Sequence, residues 1–305
     1  MPIHSRMYVS EVDYERMRQL VIDIYALCGP LVYATPGDLD WWRFPHDDQG
    51  EITGARLWFD DRERLVAFAW PSRGQVDIVV HPDDADLYEA TLSWAEDKRS
   101  RAGGADGDTP TLTAWAFEND DARRTILLAR GYEPTDEILC HRARRLDTPI
   151  PIPFPRLPAG YRLDHIHDNL IESRAAAQRN AFQSTKMTAA KYRQLKNAPT
   201  YRPDLDLVIL DPAGEVAAFA LVWFDESNRA GTFEPVGTRF DHQRRGLAQA
   251  LLEAGMKRLQ EFGAETAVVL SREGSEAANR LYDSVRMHVV GRNIAWTKRV
   301  SGGMF

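Results

Sequence analysis

Five prolines fall within ten residues: Pro149, Pro151, Pro153, Pro155 and Pro158. Proline fixes φ and gives up its N–H, so such a stretch fits neither a helix interior nor the middle of a sheet. The run from Asp147 to Gly160 therefore reads as an extended, polyproline-like strap. It divides a chain of 305 residues into two pieces of ordinary domain size. The expected layout is a first domain over 1–148, a linker over 149–159 and a second domain over 160–305.

The two pieces share one plan at low residue identity. In the second, helix-like segments (Ile171 to Phe182, Ala189 to Asn197) precede a hairpin of Leu205 to Leu210 and Val216 to Phe224, turning at Asp211-Pro212-Ala213-Gly214. A strand Gly231 to Thr238, a helix Leu247 to Phe262, a strand Ala267 to Ser271, a helix Ser275 to Ser284 and a strand-like tail Val289 to Thr297 follow. Leu247, Leu251, Gly255 and Leu259 give the first of those helices one apolar face. The first piece runs likewise: a helix Glu11 to Cys28, strands Ala55 to Phe59, Leu65 to Ala69 and Val76 to Val80, a helix Leu87 to Lys98, a Gly/Asp-rich loop Gly103 to Pro110, a strand Thr111 to Phe117 and a helix Asp121 to Ala129.

Composition narrows the classes. Apolar residues at 44% and charged residues at 27% are those of a soluble globular chain, and no apolar run reaches the roughly 20 residues of a bilayer span. The start Met1-Pro2-Ile3-His4 has no signal-like apolar core, so cytoplasm is the expected compartment. A net charge of −7 argues against a general nucleic-acid partner. Two cysteines, Cys28 and Cys140, make neither a disulfide framework nor a metal-ligand spacing.

The densest local signal is Gln243-Arg244-Arg245-Gly246-Leu247-Ala248, where a strand hands over to a helix. A turn there aims main-chain N–H groups and the positive end of a helix dipole at one point, which suits a pyrophosphate. Gly246 permits close approach, Ala248 keeps the next contact small, and two arginines add charge. Some thirty residues on stands Ser275-Glu-Ala-Ala-Asn-Arg-Leu-Tyr-Asp-Ser-Val-Arg-Met287. The pair resembles the acetyl-CoA loop and the Ala-x-x-Leu-Tyr-x-x-x-Gly-Phe helix of the GCN5-related N-acetyltransferase (GNAT) superfamily, with Ala278, Leu281 and Tyr282 in place. Arg286 and Met287 depart from Gly-Phe, and Ser275 stands where Asn is common, so the turn after this helix is open to change.

The resemblance implies an α/β (α+β) fold of two tandem GNAT-like domains, each a mixed, mostly antiparallel sheet flanked by helices. It implies acetyl-CoA as cosubstrate, no metal, and acetyl transfer to a primary amine by direct attack in a ternary complex. Tyr282 matches the residue that often protonates the departing thiolate, and a main-chain N–H near Val236 the oxyanion donor. Glu234 is the candidate base, in Phe233-Glu234-Pro235-Val236-Gly237-Thr238, where Pro235 and Gly237 read as an interrupted strand. Cofactor contacts are expected from Val236, Gly237, Thr238, Gln243, Arg244, Arg245, Gly246, Leu247, Ala248, Ser275 and Asn279.

The first half lacks these parts. Its third strand runs Val79-Val80-His81-Pro82 into Asp83-Asp84-Ala85-Asp86, with no glycine loop and with charges that repel a phosphate; it is expected to have no cofactor site of its own. This tandem layout resembles that of mycothiol synthase-like proteins, which acetylate a cysteinyl amine on a sugar-linked thiol. The acceptor, a small-molecule or peptide amine, is not legible, nor is the choice of monomer or homodimer. A non-catalytic acyl-CoA sensor or interaction module is the alternative.

Weaker features read as packing or surface before function. Trp41, Trp42 and Phe44 fit core or interdomain packing better than a pocket wall. His165-Ile166-His167 between Asp164 and Asp168, and His46-Asp47-Asp48, read as polar surface rather than metal sites. Thr200 to Asp204, Phe182 and Met187 are weaker candidates for substrate contact.

Overall fold

The structure, a computed structural model, describes residues 2–45, 51–72, 74–102 and 110–300; His46-Asp47-Asp48 and Gly103 to Thr109 lie outside them. Strands β1 (His4–Met7), β2 (Arg56–Phe59), β3 (Leu65–Ser72), β4 (Gln75–Val80), β5 (Thr111–Phe117) and β6 (Glu133–Arg145) belong to the first half. Its helices are α1 (Glu11–Cys28), α2 (Pro36–Arg43), α3 (Leu87–Arg101) and α4 (Asp121–Ala129). The second half supplies β7 (Arg162–His165), β8 (Asp206–Leu210), β9 (Val216–Asp225), β10 (Ala230–Thr238), β11 (Thr266–Arg272) and β12 (His288–Arg299). Its helices are α5 (Ile171–Phe182), α6 (Ala189–Leu195), α7 (Leu247–Glu261) and α8 (Glu276–Ser284). Residues 149–158 carry no helix or strand, as the prolines demand.

The strands form one 12-stranded sheet in the order β1-β2-β3-β4-β5-β12-β6-β11-β10-β9-β8-β7. Only β4–β5 and β10–β11 pair in parallel; the other neighbours are antiparallel. Two self-contained sheets joined by a strap are what the sequence leads one to expect. Instead, the last strand of each half crosses over. β12 lies between β5 and β6, with Ala295 opposite Trp115, while β6 lies between β12 and β11, with Arg142 opposite Val269. β6 is hidden in the sequence because its buried positions include His141, Arg142 and Arg144, so apolar alternation does not mark it.

Each half buries both sheet faces. α1 and α2 cover one face of the first half and α3 and α4 the other. In the second, α7 and α8 cover one face, α5 and α6 its opposite. α7 comes close to the sheet because Gly255 leaves room for the Phe233 ring and the Val222 methyl. α2, also unread from sequence, starts with a capping box: the Thr35 hydroxyl accepts from the Asp38 N–H, Asp38 accepts in return from Thr35, and Pro36 opens the helix.

Side-chain contacts across the halves reinforce the strand exchange. The Asp40 carboxylate on α2 accepts from the Thr200 N–H at 2.9 Å and from its hydroxyl, and from Tyr14 at 2.6 Å. Thr200 is thus an interdomain latch. Gly37 lets α2 lie against the Trp223 ring on β9. Arg142 on β6 donates to Asp283 at 2.6 Å, to the Met287 carbonyl at 3.1 Å, to Asn279 at 3.2 Å and to Ser271 at 3.2 Å, while Arg144 donates to the Val285 carbonyl. A strand of the first half therefore fixes α8 of the second.

This interleaving predicts that neither half folds alone. Expressed without residues 1–159, the second half should aggregate and show no cooperative melting transition, because β11 loses β6 and exposes a buried edge. Co-expression with the missing piece should restore a soluble complex on size-exclusion chromatography.

Candidate active site

The site grows from a divergence of two parallel strands. β10 pairs with β11 from Ala230–Thr266 to Phe233–Val269 and no further. Its pairing with β9 breaks at Glu234-Pro235 and resumes at Val236–Ala220. Pro235 has no N–H to donate, so the ladder cannot run through it. Past the break, the Arg239 N–H bonds the Ala217 carbonyl of β9. Because N–H direction alternates along an antiparallel pair, the N–H groups of Val236 and Thr238 point the other way, into the gap. Gly237 sits against the Phe219 ring. This opened strand pair is the interruption that Pro235 and Gly237 signal in the sequence.

At the apex stands Glu234. Its main-chain carbonyl accepts from Trp223 Nε1 at 2.7 Å, and its side chain lines both a cavity of about 670 Å3 and an adjoining one of about 300 Å3. Burial, with the charge of Asp38 second, pushes its carboxyl up to about 7. Tyr282 on α8 is 6% exposed, its ring in the core beside α7. Among the described residues its hydroxyl has no hydrogen-bond partner. Burial and the neighbouring charge of Glu234 raise its pKa well above the usual phenol value, so it keeps its proton at neutral pH.

The two departures in the α8 motif leave its geometry in place. Arg286 takes the left-handed conformation, φ +60°, that glycine adopts more cheaply. Met287 is fully buried where the pattern has Phe, and its N–H bonds the Tyr282 carbonyl at 2.9 Å. Ser275 is the residue before the first turn of α8, with no side-chain cap bond. Asn279 is committed within the protein: it accepts from Arg142 and Ser271 and donates to the Glu273 carbonyl.

The Gln243 to Ala248 segment forms the entrance of α7. Arg244 and Gly246 both have positive φ, +59° and +78°. The first main-chain bond of the helix is Ala250 N–H to the Gly246 carbonyl. Among the described residues none accepts from the main-chain N–H groups of Arg244 to Gln249. Six donors and a helix N-terminus thus stand unpaired at one corner, flanked by exposed Arg244 and Arg245. A Cβ at Gly246 would meet nothing within 4 Å, so glycine is needed there for its φ rather than for space.

The first half keeps a relic of the same gap. β4 and β5 touch in parallel only at Gln75–Thr113. Between them lies Arg123, on α4 at the place that Ala278 holds on α8. Its guanidinium bonds the carbonyls of Ile78 and Trp115 at 3.4 Å and lies 3.5 Å from the Tyr33 ring centroid and 4.1 Å from that of Tyr88. A cation with its stacking partners stoppers that slot.

The larger cavity lies where the halves meet. α2 contributes Asp38, Trp41 and Trp42, β4 contributes Asp77, and β6 and β12 contribute His141 and Asn293. Sequence reasoning missed Asp38, Asp77, His141 and Asn293. Trp41 and Trp42, read as packing, form cavity wall, with Trp42 edge-on to Trp70 at 5.8 Å between centroids; Phe44 packs beside two cores. Phe182 and Met187 line the smaller cavity. The Asp164, His165 and His167 ligand atoms converge within 4.8 Å of one another, but on edge strand β7 and the residues just after it, at the far end of the sheet. Among the described residues no helix is long and apolar enough to cross a membrane, and Cys28 and Cys140 are free.

Comparisons with known proteins agree with this architecture. The acetyltransferase (GNAT) family profile matches residues 169–286. A mycothiol acetyltransferase of Propionibacterium freudenreichii subsp. shermanii is 25% identical over 191 residues, 60% of this chain and 60% of its own length. One from Pseudarthrobacter chlorophenolicus is 25% identical over 252 residues, covering 78% and 73%. The match thus spans less than two thirds of the first relative. Among solved structures, a tandem GNAT protein from the clavulanic acid biosynthesis pathway superposes with a TM-score of 0.73 at 17% identity, covering 99% of this chain and all of the other. A GCN5-related N-acetyltransferase from Sphaerobacter thermophilus gives 0.68 at 22% identity, covering 99% and 97%.

Gly246→Ala tests the loop directly. A left-handed non-glycine residue costs about 1–2 kcal/mol, so the exposed turn should relax away from this conformation in the free protein, and CoA affinity measured by calorimetry should fall on the order of tenfold. Residues 169–286 are thus similar to the acetyltransferase (GNAT) family, and the fold along the described residues is similar to that of a tandem GNAT protein.

Proposed function

We propose that this protein transfers an acetyl group from acetyl-CoA to a primary amine bound in the cavity between its halves. The observation that carries this reading is the opened β10–β11 pair, with Glu234 at its apex and Tyr282 close enough to feel that charge. The pyrophosphate would rest on the N–H groups of Arg244 to Ala248, with Arg244 and Arg245 beside it and Gln243 at the rim. The pantetheine arm would run along Val236, Gly237 and Thr238, completing the ladder that β11 abandons. The stoppered first half would bind no cofactor. The Asn279 side chain, already spent inside the protein, would support α8 rather than touch CoA.

In the reaction, Glu234 takes a proton from the ammonium, directly or through water. The freed nitrogen attacks the thioester carbonyl carbon, and the oxyanion is stabilised by the Val236 N–H. Collapse breaks the C–S bond, Tyr282 gives its proton to the departing thiolate, and the second proton shed by the acetylated nitrogen restores the Tyr282 hydroxyl, while Glu234 returns the first to solvent. The products are an N-acetyl amine and CoA. No step needs a metal ion. The curated relatives share the name mycothiol acetyltransferase, which makes a thiol-bearing amine one acceptor to include in a screen.

A base must be unprotonated to act, and Glu234 is held up to about 7. kcat/KM should therefore rise with pH through about 7 and level off above it. Glu234→Gln should remove that acid limb and lower kcat by roughly a hundred- to ten-thousandfold, followed as CoA release with a thiol reagent. A retained limb would assign it to another group.

Tyr282→Phe keeps the ring and deletes the proton. Turnover should drop while the dissociation constant for CoA, read by calorimetry, stays close to that of the parent. Full turnover across the pH range would remove the acid role.

A further inference from the structure

Beyond Glu234, the wall of the interdomain cavity is built of acceptors. Asp38 bonds Thr35 through Oδ2 only, leaving Oδ1 free. The Asp77 carboxylate has no hydrogen bond or ion pair among the described residues. His141 is 5% exposed and its Nε2 has no partner. Burial holds that ring neutral, its pKa pushed down to about 4 despite a hydrogen bond to the Pro30 main chain. That bond occupies Nδ1, so Nε2 presents a lone pair. Asn293 is 6% exposed, and its Oδ1 is likewise unpartnered. Two buried side chains with idle acceptor atoms thus line the same space as two unpaired carboxylates.

Unsatisfied buried acceptors are costly, and carboxylates that share a low-dielectric pocket repel one another. The cations nearby do not answer them. Arg123 is spent on Asp120 and two carbonyls, Arg272 pairs with Glu137 at the rim, 2.5 Å away, and Lys186 is exposed at the mouth. The carboxylates also share one cavity. Asp38 lies close enough for its charge to raise the pKa of both Glu234 and Asp77. Faces of Trp41, Trp42 and Trp70 complete the wall, and aromatic faces attract organic cations.

We infer that the acceptor is a dicationic amine, with its reacting nitrogen at Glu234 and a second protonated nitrogen held by Asp38 and Asp77. This rests on the transfer reading for the first nitrogen, while the second site stands on the idle acceptors alone. Donor-rich compounds with two ammonium groups, such as linear polyamines and amino sugars, share the required chemistry. A neutral or anionic tail would leave the acceptors unanswered.

The test compares cadaverine with the amino alcohol of the same length, which keeps one ammonium and replaces the other by a hydroxyl. Binding of each to the full chain is measured by calorimetry without acetyl-CoA, and kcat/KM with it. The expected result is at least a tenfold preference for the diamine in both assays, collapsing toward unity in Asp77→Asn. CoA affinity, read in the same variant, checks that it is folded. Equal binding of the two compounds by the parent, or a preference unchanged in Asp77→Asn, overturns the inference and leaves the transferase reading standing. Diamine-selective binding with no CoA release has the reverse meaning: the second-cation site holds and acetyl transfer fails.

Discussion

The interaction on which the rest of this molecule depends is the lodging of β6 between β11 and β12. Through it, a strand of the first half becomes an interior strand of the second half's sheet. Arg142 and Arg144 then reach from that strand to the C-terminal end of α8, binding Asp283, the Val285 carbonyl and the Met287 carbonyl. A buried arginine is tolerable only when nearly every donor is answered, and four partners answer Arg142. Tyr282 lies one residue before Asp283 on the same helix. The orientation of the proposed acid is thereby set by the half that carries no proposed chemistry.

The regular elements were legible wherever an apolar period dominates. The α7 stripe, the β8–β9 hairpin and the β10 interruption at Pro235 are all readable, because each rests on a local rule of geometry. The two motifs marked the loop and α8 for the same reason. β6 was not legible, because its interior positions are filled by histidine and arginines whose partners lie far along the chain. α2 left a signal, Thr35-Pro36-Gly37-Asp38, that amounts to an N-cap, an N1 proline and an acidic N3. Asp77 alternates with Val76 and Ile78 and so reads as a solvent face; only the apposed second half turns that face into a cavity wall. Sites made by two halves have no footprint in either half's local pattern.

The two halves treat a shared inheritance in different ways. Both part a pair of parallel strands, and both set a helix against the opening. In the second half the corresponding residue is Ala278, four residues before Tyr282, and its short side chain carries no charge to fill the opening. In the first it is Arg123, which fills the opening and ties both strands through their carbonyls. The acidic Asp83-Asp84 corner, where the His81 ring accepts from the Asp83 N–H, occupies the place of the donor-rich corner at α7. One half thus presents unpaired main-chain donors at this corner, and the other presents acidic side chains.

The exchanged strands also limit how the enclosed space can be reached. Enzymes with a cleft between two bodies often swing one against the other to admit and then enclose their ligands. Here such a swing would have to shear the backbone ladders on either side of β6 and β12. Asp77 on β4 and Glu234 on β10 therefore belong to one sheet, and Asp38 lies on α2, which Asp40 ties to Thr200 of the second half; exposed Lys186 and Arg272 lie on the same cavity. On the proposed reading, discrimination among acceptors then falls to the shape and charge of a chamber whose walls share one sheet.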